Sequence, residues 1–322
     1  MKKKGWRSTS WSLAFIMEGS QMFRLGIIGL GSIAQKAYLP VIAGRNDVEV
    51  HLYTRNEVKR KELLAKYRFA TEHDSVKSLI DSEVEAVFVH SATVSHPEIV
   101  RELMEASVPT YVDKPLADNY QQARELTELA SKKGVALITG FNRRFAPFYQ
   151  ALKETADVNM ITMQKNRANQ PAEARNFIFD DFIHVVDTVL FHLAEPIERF
   201  HAIPQWEAEK LASITVQFQT KNKVATASMN RNSGVAEEEL TVISKTGKQT
   251  VQNLDVKKHK VGIEQTTSRF PDWDTTLYKR GFESIITAFI EQVKTGEEPI
   301  IPMKEALATH EWCEKILESI QS

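Results

Sequence analysis

A lysine held in front of a proline, an imidazole between carboxylates and a glycine-rich turn are the parts of this sequence best suited to chemistry. Lys114 lies in Val112-Asp113-Lys114-Pro115-Leu116, directly after an apolar run. An ammonium there can donate a hydrogen bond to a substrate oxygen and stabilise charge developing on it. Alone it would read as a surface lysine, but Pro115 fixes the backbone beside it. Asp180, His184 and Asp187 stand at i, i+4 and i+7 in Asp180-Asp181-Phe182-Ile183-His184-Val185-Val186-Asp187, on one face if the segment is helical. An imidazole between carboxylates can accept a proton near neutral pH, although a lone histidine on an apolar helix is more often a core residue. Gly29-Leu30-Gly31-Ser32-Ile33-Ala34 opens a helical pattern. Gly29 permits a tight turn, Gly31 lets a pyrophosphate approach the backbone, and Ala34 lets helix and strand pack closely. The helix start adds oriented N–H donors for the anion, so the turn reads as a dinucleotide site.

These segments need a scaffold, and the pattern around them supplies one. Apolar, largely β-branched or aromatic runs occur at Phe23–Ile28, Val48–Tyr53, Glu85–Val89, Thr110–Val112 and Val135–Thr139. Helical patterns fall between them at Ile33–Ala43, Glu57–Tyr67, His96–Ala106 and Asn119–Lys132. Strand alternating with helix predicts an α/β Rossmann-type doubly wound parallel sheet. Its ligands gather outside the carboxyl ends of the strands, where Lys114 would lie near the nicotinamide. Past Arg143 the rhythm changes to polar–apolar alternation. Ile214–Gln219 and Val224–Met229 flank Lys221-Asn222-Lys223, and Leu240–Ser244 and Lys248–Val251 flank Thr246-Gly247. Those are hairpin signals. Two amphipathic helices follow, at Thr276–Lys294 and Lys304–Ile320, separated by Pro299 and Pro302. The reading is a nucleotide domain over 22–141 and, over 142–322, an α+β substrate and oligomerisation domain with an open, mostly antiparallel sheet.

Composition narrows the function classes. Forty-one basic against 42 acidic side chains give a net charge of −1, without the basic excess of a sequence-independent nucleic-acid binder. The single cysteine, Cys313, cannot form an internal disulfide, and the nine histidines show no ligand spacing, so no metal site is expected. No stretch approaches the ~20 apolar residues of a membrane span, and a cytoplasmic location is expected. Residues 1–21 resemble a secretion signal only faintly and read as a disordered or mis-started extension.

The end of the second strand bears on the cofactor. NAD-specific sites place Asp or Glu there for the ribose 2′-hydroxyl, and such a carboxylate repels a 2′-phosphate. Here Thr54 and Arg55 hold the position, with Lys59 and Arg60 one turn on. A guanidinium can fork onto phosphate oxygens and stack on adenine, so NADP(H) is expected over NAD(H). Asn56 and Glu57 do not decide the point.

Taken together, Gly29-x-Gly31-x-x-Ala34, Thr93-Val94-Ser95-His96, Asp113-Lys114-Pro115, Gly140-Phe141-Asn142-Arg143-Arg144-Phe145 and Asp180-x-x-x-His184-x-x-Asp187 resemble the Gfo/Idh/MocA oxidoreductases. The stretches Ala34 to Ala37 and Asp181 to Thr188 look most like the MviM branch. The resemblance implies that Lys114 touches the reacting hydroxyl, that His184 accepts its proton, and that Asp180 holds substrate or histidine. It implies cofactor contacts from Gly29, Gly31, Ser32, Ile33, Ala34, from Ser91, Thr93 and His96, and from Lys114, beside the expected Thr54 and Arg55. It places Asn142 and Arg143 or Arg144 in the cleft wall, makes Asp187 structural, and implies a cis Lys114–Pro115 bond. The substrate class it implies is a sugar, polyol or related alcohol. Two departures stand out. Asp113 replaces a glutamate with its charge kept, and Phe182 replaces a glycine, which would narrow the pocket or reseat the helix.

A dinucleotide-binding regulator without catalysis is the alternative; retention of Lys114, Asp180 and His184 argues against it. A homodimer or larger homo-oligomer is expected, because a sheet covered on one side leaves its other face to a partner. Ile214, Val216 and Phe218 are assigned to that face, with Val224, Thr226 and Ser228 across the hairpin. The competing reading packs this face on the protein's own terminal helices.

Overall fold

The computed structural model describes residues 22–69 and 71–321; the expected N-terminal extension lies outside them. Six parallel strands, β1 Phe23–Ile28, β2 Val48–Tyr53, β3 Thr71–His73, β4 Ala86–Val89, β5 Thr110–Asp113 and β6 Leu137–Gly140, lie in the order β3-β2-β1-β4-β5-β6. Reversal of the order between β1 and β4 opens the crevice where dinucleotides bind in such sheets. β4 is buried at every residue, as a strand covered by helices on both faces must be. The connecting helices are α1 Leu39–Ala43, α2 Glu57–Tyr67, α3 Val76–Asp81, α4 His96–Glu105 and α5 Tyr120–Lys133. A π-turn, Ala34–Tyr38, precedes α1. Pro40 has no N–H, and its ring opposes the carbonyl of Lys36; a widened turn accommodates both.

After α6 Pro147–Lys153 come β7 Val158–Ala168, α7 Ala174–Asn176, a second π-turn Phe177–Phe182, and α8 Ile183–Leu193. Seven further strands follow: β8 Arg199–Glu207, β9 Lys210–Gln219, β10 Val224–Ser233, β11 Glu237–Ser244, β12 Gly247–Gln252, β13 Val256–Val261 and β14 Glu264–Arg269. With β7 they form a mixed sheet ordered β14-β13-β12-β11-β7-β10-β9-β8, in which only β7 and β10 run parallel. α9 Thr276–Lys279, α10 Phe282–Thr295 and α11 Met303–Gln321 end the chain. The single helix expected over Thr276–Lys294 is broken at Gly281 (φ 78°), where a Cβ would lie 2.3 Å from the Asn142 carbonyl oxygen.

The apolar face of the second sheet is covered by the protein's own helices, which corrects the expected interface. Ile214, Val216 and Phe218 are buried, and the Phe218 ring meets Trp312 of α11 at 5.5 Å. Their neighbours across the hairpin are Met229, Ala227 and Ala225; Val224, Thr226 and Ser228 pair with Gln219, Gln217 and Thr215 on the opposite face. A one-residue shift in pairing exchanges the faces of a strand. The terminal helices also return to the nucleotide domain. Phe289 of α10 packs on Phe88 and Tyr111, and Glu314 of α11 accepts from the Tyr120 N–H at 3.0 Å. Among the described residues no helix is long and apolar enough to cross a membrane.

Six histidines are buried among the described residues, and three of them are shifted furthest. Burial lowers His90 to about 3, His192 to about 3 and His310 to about 4. The folded protein keeps them neutral well below the ordinary histidine value, while the unfolded chain takes up protons there. Stability is therefore present above about pH 6.5 and declines as pH falls from that value towards the folded values. Each contributes a slope of about 1.4 kcal/mol per pH unit in that window. Unfolding free energies from urea titrations should be larger at pH 7 than at pH 5 by several kcal/mol, and equal values would contradict this.

Candidate active site

The cleft begins at the glycine turn. Gly29 has φ 86°, and a Cβ there would lie 2.4 Å from the Ser91 nitrogen, so glycine alone lets the end of β1 press against the end of β4. Gly31, Ser32 and Ile33 are exposed at the helix start, and Ala34 is buried beneath them. A Cβ on Gly31 would meet nothing nearer than the His90 carbonyl oxygen at 4.0 Å. Open backbone N–H groups before a helix, at the strand-order reversal, fit a pyrophosphate. At the end of β2, Arg55 is exposed and has no ion-pair partner among the described residues. Thr54 is half-buried, its carbonyl accepting from Arg60 Nη1 at 3.0 Å. Arg60 is committed elsewhere, since its Nε donates to Glu72 at 2.8 Å. Asn56 caps α2 by accepting from the Lys59 N–H at 3.0 Å.

Between the ends of β4 and β5 the structure separates residues expected to act alike. Ser91 and Thr93 are half-buried at the rim, and Thr93 joins Pro115, Phe179 and Asp180 around a cavity of about 270 Å³. His96 does not reach the cleft. It is buried, with Nδ1 2.9 Å from the Pro115 carbonyl and Nε2 3.0 Å from the Ser91 carbonyl. Both ring nitrogens are therefore spent on tying the two loops together. Larger cavities, of about 480 and 460 Å³, lie beside Lys153 and Glu195 and are not lined by these residues, although the second is lined in part by Arg144.

Lys114 follows β5, and the Lys114–Pro115 peptide is cis. Its Nζ crosses to the second domain and donates to the Asp180 carbonyl oxygen at 2.5 Å, with Asp180 Oδ1 at 3.3 Å. The loop is braced from behind. His310 Nε2 accepts from the Leu116 N–H at 3.0 Å, and its Nδ1 meets the Ala306 carbonyl at 2.8 Å. Asp113 accepts from the Tyr38 hydroxyl at 3.2 Å, and burial raises its carboxyl above the ordinary value.

On the facing wall the π-turn sets the outcome. It widens the helix before Ile183, so angular positions differ from those of an α-helix. Asp181, rather than Asp180, points into the protein, where it accepts from Lys165 Nζ and from Arg167 Nε at 2.8 Å. Burial alone would raise the Asp181 carboxyl; the two cations overcome it and leave it well below the carboxylate range. Asp180 is exposed and reaches the site through its contacts with Lys114. Phe182 is buried beside Phe177 and does not narrow the pocket. Asp187 is turned away towards Arg144, so the imidazole of His184 is not flanked by carboxylates.

His184 instead has cations around it. Burial first, then Arg143, Lys165, Lys114 and Arg167, lower its pKa well below the ordinary value. Its ring is neutral at pH 7, and the burial and cations that keep it so also make it a weaker base than an ordinary imidazole. Nδ1 is enclosed without a hydrogen-bond partner, although the residue keeps some exposure. Of the three residues expected in the cleft wall, Arg143 is nearest in effect, but its guanidinium is paired with buried Glu238 at 2.6 Å. Asn142 donates to the Arg280 carbonyl at 2.8 Å. Arg144 is held by Asp187 and Glu305. Asn142 Nδ2 and the Arg144 guanidinium are therefore engaged with residues of the protein itself.

Sequence reading missed Lys165, Arg167, Asp181 and Glu238. The signal was weak: Gln164-Lys165-Asn166-Arg167 is a polar stretch, yet it forms the C-terminal part of β7 with Lys165 buried. Burial and the Arg143 charge bring Lys165 down to about 7. Among the described residues no group of three or more His, Cys, Asp or Glu could hold a metal.

Comparison with known proteins agrees with this architecture. Residues 23–141 match the Gfo/Idh/MocA model described as an oxidoreductase family with an NAD-binding Rossmann fold, and residues 147–262 match a YceM-like C-terminal domain. The YceM protein of Salmonella typhimurium is 34% identical over 290 residues, 88% of this chain and 94% of its own. A dehydrogenase (MviM) from Clostridium difficile superposes with a TM-score of 0.86 at 34% identity, covering 93% of this chain and 100% of that one. A myo-inositol 2-dehydrogenase from Thermotoga maritima is 25% identical over 306 residues, 86% of this chain and 90% of its own. The chain belongs to the Gfo/Idh/MocA family of NAD-binding oxidoreductases.

Proposed function

We propose that this protein transfers hydride between NADP(H) and a carbon bearing a hydroxyl or carbonyl oxygen in a sugar, polyol or related alcohol. The observation that carries this reading is the reach of Lys114 Nζ from the end of β5 to Asp180, on the helix that also presents neutral His184. Lys114 donates to the substrate oxygen and stabilises it as its proton leaves. His184 accepts that proton, and Asp180 holds Lys114 in the cleft until substrate takes its place. When bound, the nicotinamide supplies or receives the hydride. The polyol dehydrogenase among the relatives supports the substrate class. Initial rates should show NADPH consumed with a panel of keto and aldehyde sugars, or NADP+ reduced with sugar alcohols. Cofactor binding without turnover of any of them would overturn the proposal.

The phosphate preference rests on Arg55, exposed and unpaired where an NAD-specific site carries a carboxylate. Fluorescence titration should give a lower dissociation constant for NADPH than for NADH. Arg55→Ala should lose roughly tenfold or more for NADPH, with NADH little changed. Equal binding by the wild type removes the preference; an unaltered mutant removes Arg55 as its cause.

We also assign oligomerisation to the open face of the second sheet, where Met160, Val224 and Ile203 are each nearly half exposed. These share one face through the pairings of β7, β10, β9 and β8. Sedimentation at micromolar concentration should give a dimer or larger species, and a monomer would contradict the assignment.

A further inference from the structure

We infer that the substrate is anionic: a sugar-like alcohol carrying a carboxylate or phosphate group, received by Arg231 and Arg167 beside the reacting carbon. The inference rests on the hydride-transfer reading of the same cleft and refines its substrate. It starts from unequal charge. Lys114, Arg143, Lys165 and Arg167 surround His184, and Arg231 lies over Phe177 at the start of the π-turn that leads to it, whereas Asp180, Asp181 and Glu238 are the carboxylates paired with the first four. Arg143 and Glu238 form a closed pair. Lys165 and Arg167, two residues apart on β7 and so on one face, share the single carboxylate of Asp181.

Arg231 has no carboxylate partner among the described residues. The ladder between β7 and β10 pairs Asn166 with Asn230 and then shifts register before Ser233. Such bulges re-aim side chains, and the Arg231 guanidinium lies over the Phe177 ring, 5.6 Å from its centroid, at the start of the π-turn. Its Nε and Nη1 are enclosed without a hydrogen-bond acceptor. Buried donors left unpaired, and buried charge left unbalanced, are both costly. A chain with a net charge of −1 has concentrated cations here without matching them. Dinucleotide phosphates do not meet the demand, because the glycine turn and Arg55 that suit them are on the nucleotide domain. A forked guanidinium facing a planar or tetrahedral oxyanion meets it directly.

Arg167 is the accessible member, with its side chain 41% exposed, so it can release part of its hold on Asp181 to a ligand. Lys114 remains assigned to the reacting oxygen. The substrate's anionic group and its reacting alcohol are therefore sorted to different cations along one wall.

The test uses the full-length protein loaded with NADP+ or NADPH. Matched pairs are compared by calorimetry and by initial rates: gluconate with glucitol, galacturonate with galactose, and glucose 6-phosphate with glucose. At least one anionic member should exceed its neutral partner by roughly tenfold or more in affinity or kcat/KM, with the advantage shrinking as salt is raised. The carboxylate and phosphate pairs identify which anion the site takes. Arg167→Gln and Arg231→Gln should each weaken the anion by roughly 10- to 100-fold, and Arg231→Lys should recover part of the loss. Arg167→Gln, at an exposed side chain, keeps the test readable should Arg231→Gln fold poorly. Turnover of neutral members at equal or better efficiency overturns the inference and leaves the hydride-transfer reading intact. Arginine-dependent anion binding without turnover of any member sustains the anion subsite at Arg231 and Arg167 but overturns its assignment to a hydride-transfer substrate. If no anionic member binds the loaded protein, the inference is overturned.

Discussion

Lys114→Ala and His184→Ala should each lower kcat by about 10²–10⁴-fold, the usual loss when a positioned acid or base is removed, while the fold survives. The structure separates the two effects. Lys114 has a mostly buried stem, but among the described residues its ammonium bonds only to Asp180, whose side chain is 61% exposed, and pairs open to solvent contribute about 0–1 kcal/mol. His184 Nδ1 makes no hydrogen bond, so removing the ring forfeits no polar partner and relieves a neighbourhood of cations. His184→Asn controls for the volume lost. The pH profile adds a readout that a structural role would not move. Burial and the surrounding cations hold His184 neutral well below the ordinary histidine value. The acid limb of kcat/KM assigned to it should therefore fall clearly below pH 6.5. Near-wild-type kcat in either alanine variant, with thermal midpoint unchanged, would remove that residue from the chemistry.

How far this site could be read in advance depended on whether a residue's role follows from local pattern. The nucleotide domain was legible because buried parallel strands are continuous apolar runs. β1 and β2 fall where the sequence puts them, and the Gly29 turn has the left-handed backbone its position demands. Strand β3, three residues long, and the short helix α3 carry too little pattern to be found. β7 was missed for a different reason. Its C-terminal half is polar because it builds the site, so Lys165 and Arg167 break the alternation that would mark a strand. The π-turn was equally invisible, since i, i+4 counting assumes an α-helical frame. That assumption placed Asp180 with His184 and overlooked Asp181. Two of the second sheet's hairpins were found, the β9–β10 turn in place and the β11–β12 turn one residue early at Lys245-Thr246 with Gly247 already paired to Ser244, yet the face assigned to the interface was the buried one. Local sequence marks alternation; which face is covered depends on α8 and α11, remote in the chain. Lys114 and His184 did not depend on such distant information, and the structure brings both to one cleft.

Breaking the Arg144–Asp187 pair should destabilise the protein more than any other single substitution at the cleft. Arg144 Nε lies 3.1 Å from both Asp187 oxygens and Nη2 lies 2.8 Å from Oδ1, while Thr309 donates to the same carboxylate at 3.0 Å. Both side chains are almost fully enclosed. Burial pushes the Asp187 carboxyl up, against Arg144 and Thr309 pulling it down, so the ion is retained only while its partners remain. Asp187→Ala leaves the guanidinium buried with Glu305 alone, whose side chain is 46% exposed. A loss of about 3–5 kcal/mol is expected for that uncompensated charge. Replacing both members, Arg144→Met with Asp187→Leu, should cost less than the single change, because two apolar side chains need no counter-charge. Urea denaturation of the four proteins closes the cycle, with a coupling of about 0.5–3 kcal/mol expected between the sites. Additive losses, or an Asp187→Ala cost below about 1 kcal/mol, would show the pair to be an ordinary surface contact. The pair also has a positional consequence. Arg144 follows β6 of the nucleotide domain and Asp187 lies one turn beyond His184 on α8, so the bond fixes the distance between the cofactor side and the base. The double variant, if stable, should show a reduced kcat with cofactor affinity largely retained, since α8 would be free to shift against the strand that carries Lys114.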